Sequence, residues 1–441
     1  VVIQKVKKIL IILVPLALIF TVLLYKNFQR NTPISDDNPE VEEKKKDMTN
    51  SSNDSEEQQE VHRDIIFPDD VSMKQRKSDI RYAYELWKEQ YVKQIEGNQY
   101  YVSYDNDHNT VSEAHGYGML IMVMMEEQFG IKTKNFFDGM FRYAKNHPSD
   151  RNDSFMVWRQ FRQDDGSMKD DKNGKFTGSA TDGDMDIAYA LLIADQLWGS
   201  DGNINYKQEA IWIINALMDS IVNHDEWTLK LGDWVKDEDP KYGTASRTSD
   251  WMVGHIAAFY EVTGDERWKK VLDTMIELTT SIQDHLSSET GLLPEFIWKQ
   301  EDEWVPVDSY FLEGEKDPYY WYNACRVPWR LAAGYYLTKD KQVKRQLEKV
   351  NSWIIEETQS NPSSIKAGYD LDGYPLVSYS DIAFIAPFAA SASIDAENQE
   401  WLNLLWGKMT EDLGPNETSK YYSDSIRLLV MLFMEEAGEM E

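Results

Sequence analysis

The chain is expected to be all-α, with six helical hairpins closed into an (α/α)6 barrel. Three observations lead there. Apolar residues recur at three- and four-residue spacing in twelve separate stretches after residue 64, which is the helical period. Strand patterns are weak and brief, as at Leu229–Leu231. Twelve helices in so few residues are too many for one bundle. The absence of a fixed-period repeat argues against the competing solenoid.

The chain is taken in order from its N-terminus. Residues 1–30 carry Lys5, Lys7 and Lys8, then an apolar run from Ile9 to Tyr25, then Lys26 and Arg30. A basic start before an apolar run of near membrane-spanning length reads as a secretory signal or an uncleaved anchor. Basic residues ahead of the run keep the N-terminus inside, so the rest is expected outside the cell, secreted or anchored to the outer membrane face through residues 9–25. Residues 31–63 are polar and charged, with Glu42, Glu43, Lys44, Lys45 and Lys46 in one run, and read as a disordered linker. Residues 64–441 form the remaining domain.

Its helices are expected near 74–92, 112–128, 131–146, 183–199, 204–223, 248–263, 265–286, 323–338, 341–358, 380–395, 398–411 and 421–438. Short and long connections alternate irregularly. The long ones, near 93–111, 147–181, 224–247, 287–322 and 359–379, hold many Gly, Asp, Tyr and Trp residues. Long loops on a rigid scaffold are where binding residues collect.

Composition narrows the function. There are 46 basic and 76 acidic side chains, a formal charge of −30, so a nucleic-acid partner is excluded for want of a basic footprint. The single cysteine, Cys325, rules out a disulfide framework and a Cys-based zinc site. HExxH, Walker A and GxGxxG motifs are absent, which removes metalloprotease, P-loop and dinucleotide-binding readings. No cofactor or metal is called for: Asp370-Leu-Asp372-Gly and Asp164-Asp-Gly166 lack full calcium-loop spacing and read as turns. Aromatics reach 12%, more than a core of this size needs, which suits a groove where rings stack on flat ligands.

Three stretches carry candidate chemistry. Ser179–Trp198 crowds Asp182, Asp184 and Asp186 at the start of an apolar helix, with Asp182 and Asp186 one turn apart. Thr181 or Asp182 is the expected cap. Val111–Met119 opens a second apolar helix with Ser112 as cap and Glu113 in the first turn. Gly116 and Gly118 follow, and make sense where something approaches the backbone closely. Desolvation on such a helix would raise the Glu113 pKa, as a general acid requires. Tyr319–Arg330 mixes rings with Arg326 and Arg330, one turn apart, which suit acids such as Asp182.

Six motifs in order resemble glycoside hydrolase family 8: Ser112–Met119, Phe155–Gln160, Ala180–Ala190, Arg247–Met252, Tyr322–Trp329 and Tyr421–Leu429. The resemblance implies an (α/α)6 barrel, inversion at the anomeric carbon, endo attack on β-1,4 polymers, and no metal in the chemistry. It implies Glu113 as general acid and Asp182 as the residue that holds and distorts the sugar. Many members place the base on an Asp directly before Ala-[Cys/Ser]-Arg. This chain has Asn323 there, and an amide takes no proton from water. A subgroup with Asn supplies a glutamate from the preceding loop instead. Glu313 is the expected base and Glu315 the reserve. Trp158, Arg159, Trp321, Asn323, Arg326 and Tyr369 complete the expected substrate-binding set.

The expected activity is endo-hydrolysis of β-1,4 bonds in a cellulose-like or mixed-linkage glucan by a monomer whose partner is the polysaccharide. A chitosanase is the alternative within the enzyme class. A tethered, catalytically inactive polysaccharide-binding protein is a further one, motivated by Asn323. A polysaccharide lyase on a similar barrel would need a Tyr/His or Arg base.

Overall fold

Inner and outer helices differ in their apolar pattern. In the computed structural model, residues 65–171, 177–411, 413 and 420–439 are described, and they contain twelve α-helices. The expected signal or anchor and the whole of the expected polar linker lie outside them. Among the described residues, no helix is long and apolar enough to cross a membrane.

Six helices are buried over most of their surface: α2 (Ser112–Phe129), α4 (Thr181–Trp198), α6 (Val253–Thr263), α8 (Val327–Thr338), α10 (Ile382–Ala392) and α12 (Tyr421–Glu439). Helix α10 is buried continuously from Ala383 to Ala392. A helix apolar all round has no face for water, so it belongs inside. The other six are α1 (Met73–Tyr91), α3 (Lys134–Asn146), α5 (Tyr206–Ser220), α7 (Arg267–His285), α9 (Lys341–Thr358) and α11 (Gln399–Thr410). These bury one side. In α9 the buried stripe is Val343, Leu347, Val350 and Ile354, a regular helical period.

Packing closes the inner set into a ring. Each inner helix contacts the next, α2 to α4 to α6 to α8 to α10 to α12, and α12 returns to α2. The outer helices α3, α5, α7, α9 and α11 each pack on the inner helix that precedes them, and α1 packs on α12, the last helix of the chain. The result is the expected barrel of six hairpins. Connections alternate regularly, which corrects the irregular alternation expected: short ones, such as 130–133 and 264–266, follow the inner helices, and long ones mostly precede them. The long loops therefore gather at the N-terminal ends of the inner helices.

Those loops hold strands that the weak sequence patterns did not mark. β1 (Val92–Ile95) pairs with β2 (Gln99–Val102). β3 (Thr110–Val111), β4 (Arg159–Arg162) and β5 (Met168–Asp170) form one antiparallel sheet. β6 (Ser246–Arg247), β7 (Phe296–Gln300) and β8 (Glu303–Pro306) form another. A small second core lies beside the last sheet, made of Leu231, Val235, Ala245, Phe296, Val307 and Phe311.

The glycines of α2 allow close packing, Gly116 against α4 and Gly118 against β2, rather than exposing backbone. A Cβ on Gly116 would sit 2.6 Å from the Asp186 Cβ, and one on Gly118 would sit 2.5 Å from Val102. The close α2–α4 approach fixes Glu113 and Asp182 relative to each other.

Candidate active site

All six inner helices present polar groups at their N-terminal ends, where the positive end of each dipole favours acids. Glu113 lies in the first turn of α2 and Asp182 in the first turn of α4. Asp250 precedes α6, Arg326 precedes α8, Asp381 caps α10, and Tyr421 opens α12. The caps differ from expectation. Ser112 does not cap α2, because the N-cap is Val111. Thr181 does not cap α4: its hydroxyl donates to the Lys230 carbonyl at 2.6 Å, and the N-cap is Ala180. Asp182 Oδ1 instead accepts from the Gly183 N–H at 2.9 Å.

Two acids one turn apart on α4 meet two arginines one turn apart at α8. Arg326 Nη1 donates to Asp182 Oδ2 at 2.8 Å, while Arg330 grips both Asp186 oxygens at 2.9 and 2.6 Å. His255 adds a contact to Asp186 at 2.8 Å. Matching i, i+4 spacing on both sides requires the two helices to run the same way. Burial alone would raise the Asp186 pKa, but Arg330 and His255 outweigh it and hold it at about 2. Asp186 is therefore a structural anion at the barrel axis. Asp184 differs: burial pushes its pKa well up, against one backbone donor, Met156 N, at 3.1 Å.

Arg326 is fully buried and organises the centre. Besides Asp182, its Nη1 donates to Glu113 Oε2 at 3.2 Å and to the Tyr117 hydroxyl at 3.1 Å. Its Nη2 donates to Ser249 Oγ at 2.8 Å and to Asn323 Oδ1 at 3.2 Å. Burial would raise the Asp182 pKa, yet the Arg326 and Arg247 guanidiniums hold it below the usual carboxylate range. The opposite holds for Glu113. Burial pushes it up, Arg326 only partly offsets this, the Asp182 charge pushes further, and the result is about 7. The Tyr421 hydroxyl donates to Glu113 Oε1 at 3.1 Å.

Glu313 approaches from the loop after β8. Its Oε1 accepts from Arg247 Nη2 at 2.8 Å and its Oε2 from Asn323 Nδ2 at 2.9 Å. Its side chain is 45% exposed, so water reaches it. The reserve residue Glu315 pairs with Lys316 at 3.4 Å and takes no part in this network. Glu113 and Glu313 are thus linked through Arg326 and Asn323, with a guanidinium and a carboxamide between them.

Glu295 was not singled out by sequence. It is buried, and its Oε1 accepts from the Asn323 and Ala324 N–H groups at 2.7 and 2.9 Å. Its Oε2 accepts from Asn323 Nδ2 at 2.6 Å. Burial, with the nearby Glu313 charge, pushes its pKa to about 8. Asp250, also buried, is pushed to about 7 by burial, with Arg247 pulling down and Asp182 pushing up. Asp250 lies within the Arg247–Met252 motif, yet no role for it was expected there; Glu295 sits in no motif or local period and is read only once the loops are folded.

Two cavities flank these carboxylates. One, of 410 Å³, is lined by Glu313, Trp321, Tyr322 and Asn323, among others. The other, of 540 Å³, is lined by Tyr91, Tyr104, His108 and Glu113, among others. They share Lys420 and Tyr422. Trp321 is therefore a wall of the cleft. Trp158 stands beside the acid, its carbonyl accepting from Ser112 N at 2.8 Å, with the Arg159 guanidinium 4.6 Å over its ring. Arg159 pairs with Asp171 at 2.6 Å. Tyr369 is a correction: it is 1% exposed, packed edge-on against Trp353, and its hydroxyl accepts from Lys366 N at 2.6 Å. A ring with no open face cannot stack on a sugar. The two acidic loops are turns, with Asp370 accepting from Tyr374 N and Asp165 from Ser167 N.

Residues 69–436 match the family model described as Glycosyl hydrolases family 8. The chain is 43% identical over 369 residues to a beta-glucanase of Niallia circulans, covering 84% of this chain and 87% of that protein. It is 37% identical over 393 residues to an endoglucanase of Bacillus sp. strain KSM-330, covering 86% and 80%. Among solved structures, a beta-1,3-1,4-glucanase from Paenibacillus sp. X4 superposes with a TM-score of 0.79 at 42% identity, covering 84% of this chain and 94% of that one. A cold-adapted family 8 xylanase, at 18% identity and a TM-score of 0.66, shares the fold.

Proposed function

Because the chain belongs to glycosyl hydrolase family 8, we propose that it is an inverting endo-hydrolase of β-1,4 bonds in a glucan, cellulose-like or mixed-linkage, working outside the cell. The observation that carries this reading is the pairing of Glu113, its pKa raised to about 7, with a water-accessible Glu313 in one hydrogen-bonded network. The named relatives, a beta-glucanase and an endoglucanase, support glucan as the substrate.

Glu113 enters protonated and gives its proton to the glycosidic oxygen as the bond to the anomeric carbon breaks. Glu313 takes a proton from a water that attacks the opposite face of that carbon. Inversion requires the two carboxyl groups to stand about 6.5–9.5 Å apart, leaving space for the water. A guanidinium and a carboxamide between Glu113 and Glu313 suit such a gap. Asp182, kept charged by Arg326, holds the sugar ring at the cut and favours its distorted form. Glu313 is preferred to Glu315 because Asn323 and Arg247 aim its carboxylate.

The test is release of reducing ends from mixed-linkage glucan, carboxymethylcellulose and chitosan, with the anomer of the new end followed by NMR. Cleavage of glucan with an initial α-anomer is expected. Cleavage of chitosan alone would replace glucan with a polyglucosamine. No cleavage of any of the three would leave a binding protein.

A further inference from the structure

The loop that carries Glu313 is built around a buried carboxylate for which the reaction itself has no use. Asp317 is 2% exposed. Its Oδ2 accepts from the Leu312 N–H at 2.7 Å and the Glu313 N–H at 3.1 Å, and its Oδ1 from the Gly314 N–H at 2.9 Å. Three successive amides converge on one side chain, and the middle one belongs to Glu313. Hydrogen bonds to a charged acceptor are about twice as strong as neutral ones, so the three together hold the backbone on both sides of Glu313.

Both flanks of the loop are held as well. The Phe311 ring is buried in the second core, and its carbonyl accepts from Lys241 Nζ at 2.6 Å. Ser309 Oγ donates to the Glu315 carbonyl at 2.8 Å. Tyr310 has a φ of +63°, a conformation that costs a non-glycine residue on the order of 1–3 kcal/mol and persists only where its surroundings impose it. The Tyr310 N–H donates to the Gly314 carbonyl at 2.7 Å, which closes the turn around Glu313. The Asp317 carbonyl ties the loop to β7 by accepting from Phe296 N at 3.3 Å.

We propose that Asp317 is a positioning residue for the catalytic base: its carboxylate fixes the backbone at Glu313 so that the Glu313 side chain reaches Arg247 and Asn323 before substrate arrives. The proposal rests on Glu313 being the base. Its physical ground is that a reacting group misplaced by about 1 Å loses on the order of a hundredfold in rate, and a base carried on a loop has no helix to place it. Glu113 and Asp182 need no such device, because each stands on an inner helix.

The test compares Asp317→Asn with Glu313→Ala, singly and combined, on the same glucan. An amide at 317 keeps one acceptor and turns an N–H₂ toward an N–H. Asp317→Asn is expected to lower kcat about ten- to a hundredfold while KM stays within about twofold. An unchanged kcat would overturn the proposal, and so would an equal loss appearing in KM. The combined variant separates positioning from general damage. With Glu313→Ala, azide needs no deprotonation: its nitrogen bonds to the anomeric carbon while the glycosidic C–O bond breaks and Glu113 protonates the leaving oxygen. If Asp317 acts only through Glu313, adding Asp317→Asn to that variant leaves its residual or azide-supported rate unchanged. A further fall by the single-variant factor shows a disrupted site and overturns the proposal, including where Asp317→Asn unfolds the loop. Wild-type activity in Glu313→Ala alone would instead refute Glu313 as base.

Discussion

Asn323 Nδ2 donates to Glu313 Oε2 at 2.9 Å, and the same nitrogen donates to Glu295 Oε2 at 2.6 Å. Its carbonyl oxygen accepts from Arg326 at 3.2 Å, so every polar atom of the carboxamide is used. An aspartate at 323 would remove both hydrogens that Nδ2 donates and set a third carboxyl group against Glu313 and Glu295. Asn323→Asp is therefore expected to lose at least about tenfold in kcat, since it disorients a base whose catalysis contributes about 10²–10⁴-fold. Combined with Glu313→Ala, it is expected to remain inactive. Reducing-sugar assays on both variants check this, and recovery in the combined variant would show that position 323 can still host the base.

The acid limb of catalysis should end near neutrality. Glu113 acts protonated and has a pKa of about 7, so kcat/KM is expected to fall as pH rises through about 7. Glu113→Gln should abolish cleavage of glucan yet keep activity on an aryl glycoside whose leaving group needs no proton. A pH–rate profile flat to pH 9 would contradict this assignment.

Glu113 also links pH to stability. Its folded pKa lies above its ordinary value of 4.5, so the stabilisation from the neutral acid is complete below 4.5 and lost as pH rises through about 7. Glu113→Gln removes this dependence. Relative to wild type it is expected to gain on the order of 2–3 kcal/mol between pH 4 and pH 8, read from urea denaturation at the two pH values.

Arg326 is the counter-ion of the buried Asp182 and touches Glu113, Tyr117, Ser249 and Asn323. Removing one partner of a buried pair costs about 3–5 kcal/mol because the other charge stays buried. Arg326→Ala is expected to lower stability by that amount and to eliminate activity. Arg326→Lys should keep part of the stability but little activity, because an ammonium lacks the planar fork. Melting curves beside kcat measure both.

Trp321 owes its place to Gly368. Gly368 has a φ of +123°, and a Cβ there would collide with Trp321 Cε3 and Cζ3. Gly368→Ala should push the ring into the cleft, raising KM for glucan about threefold or more while altering kcat less, as expected when a stacking contact made equally in ground and transition states is weakened. Trp321→Ala should show the same split.

The helical half of the protein was legible because burial leaves a periodic trace. The stripe Val343, Leu347, Val350, Ile354 announces an outer helix, and the unbroken apolar run of α10 announces an inner one. Both patterns are local, so a single sequence displays them. The acids at helix starts were legible for the same reason, since Glu113 and Asp182 stand beside the apolar residues that bury them. Tyr369 misled because a ring in a loop looks the same whether it faces solvent or lies beneath the loop.

By itself, the sequence determined twelve helices, the barrel they suit, and the placing of Glu113, Asp182 and Arg326 at helix starts, because helix period and helix termini depend on neighbours a few residues away. Only the tertiary structure decided which groups meet. Asp182 and Arg326 are 144 residues apart, Glu113 and Arg326 are 213 apart, and Glu295 joins Asn323 across 28 residues of loop. No local rule couples such distances. The couplings exist because the inner helices run parallel and close into a ring, which brings six N-termini and their long loops to one end of the barrel.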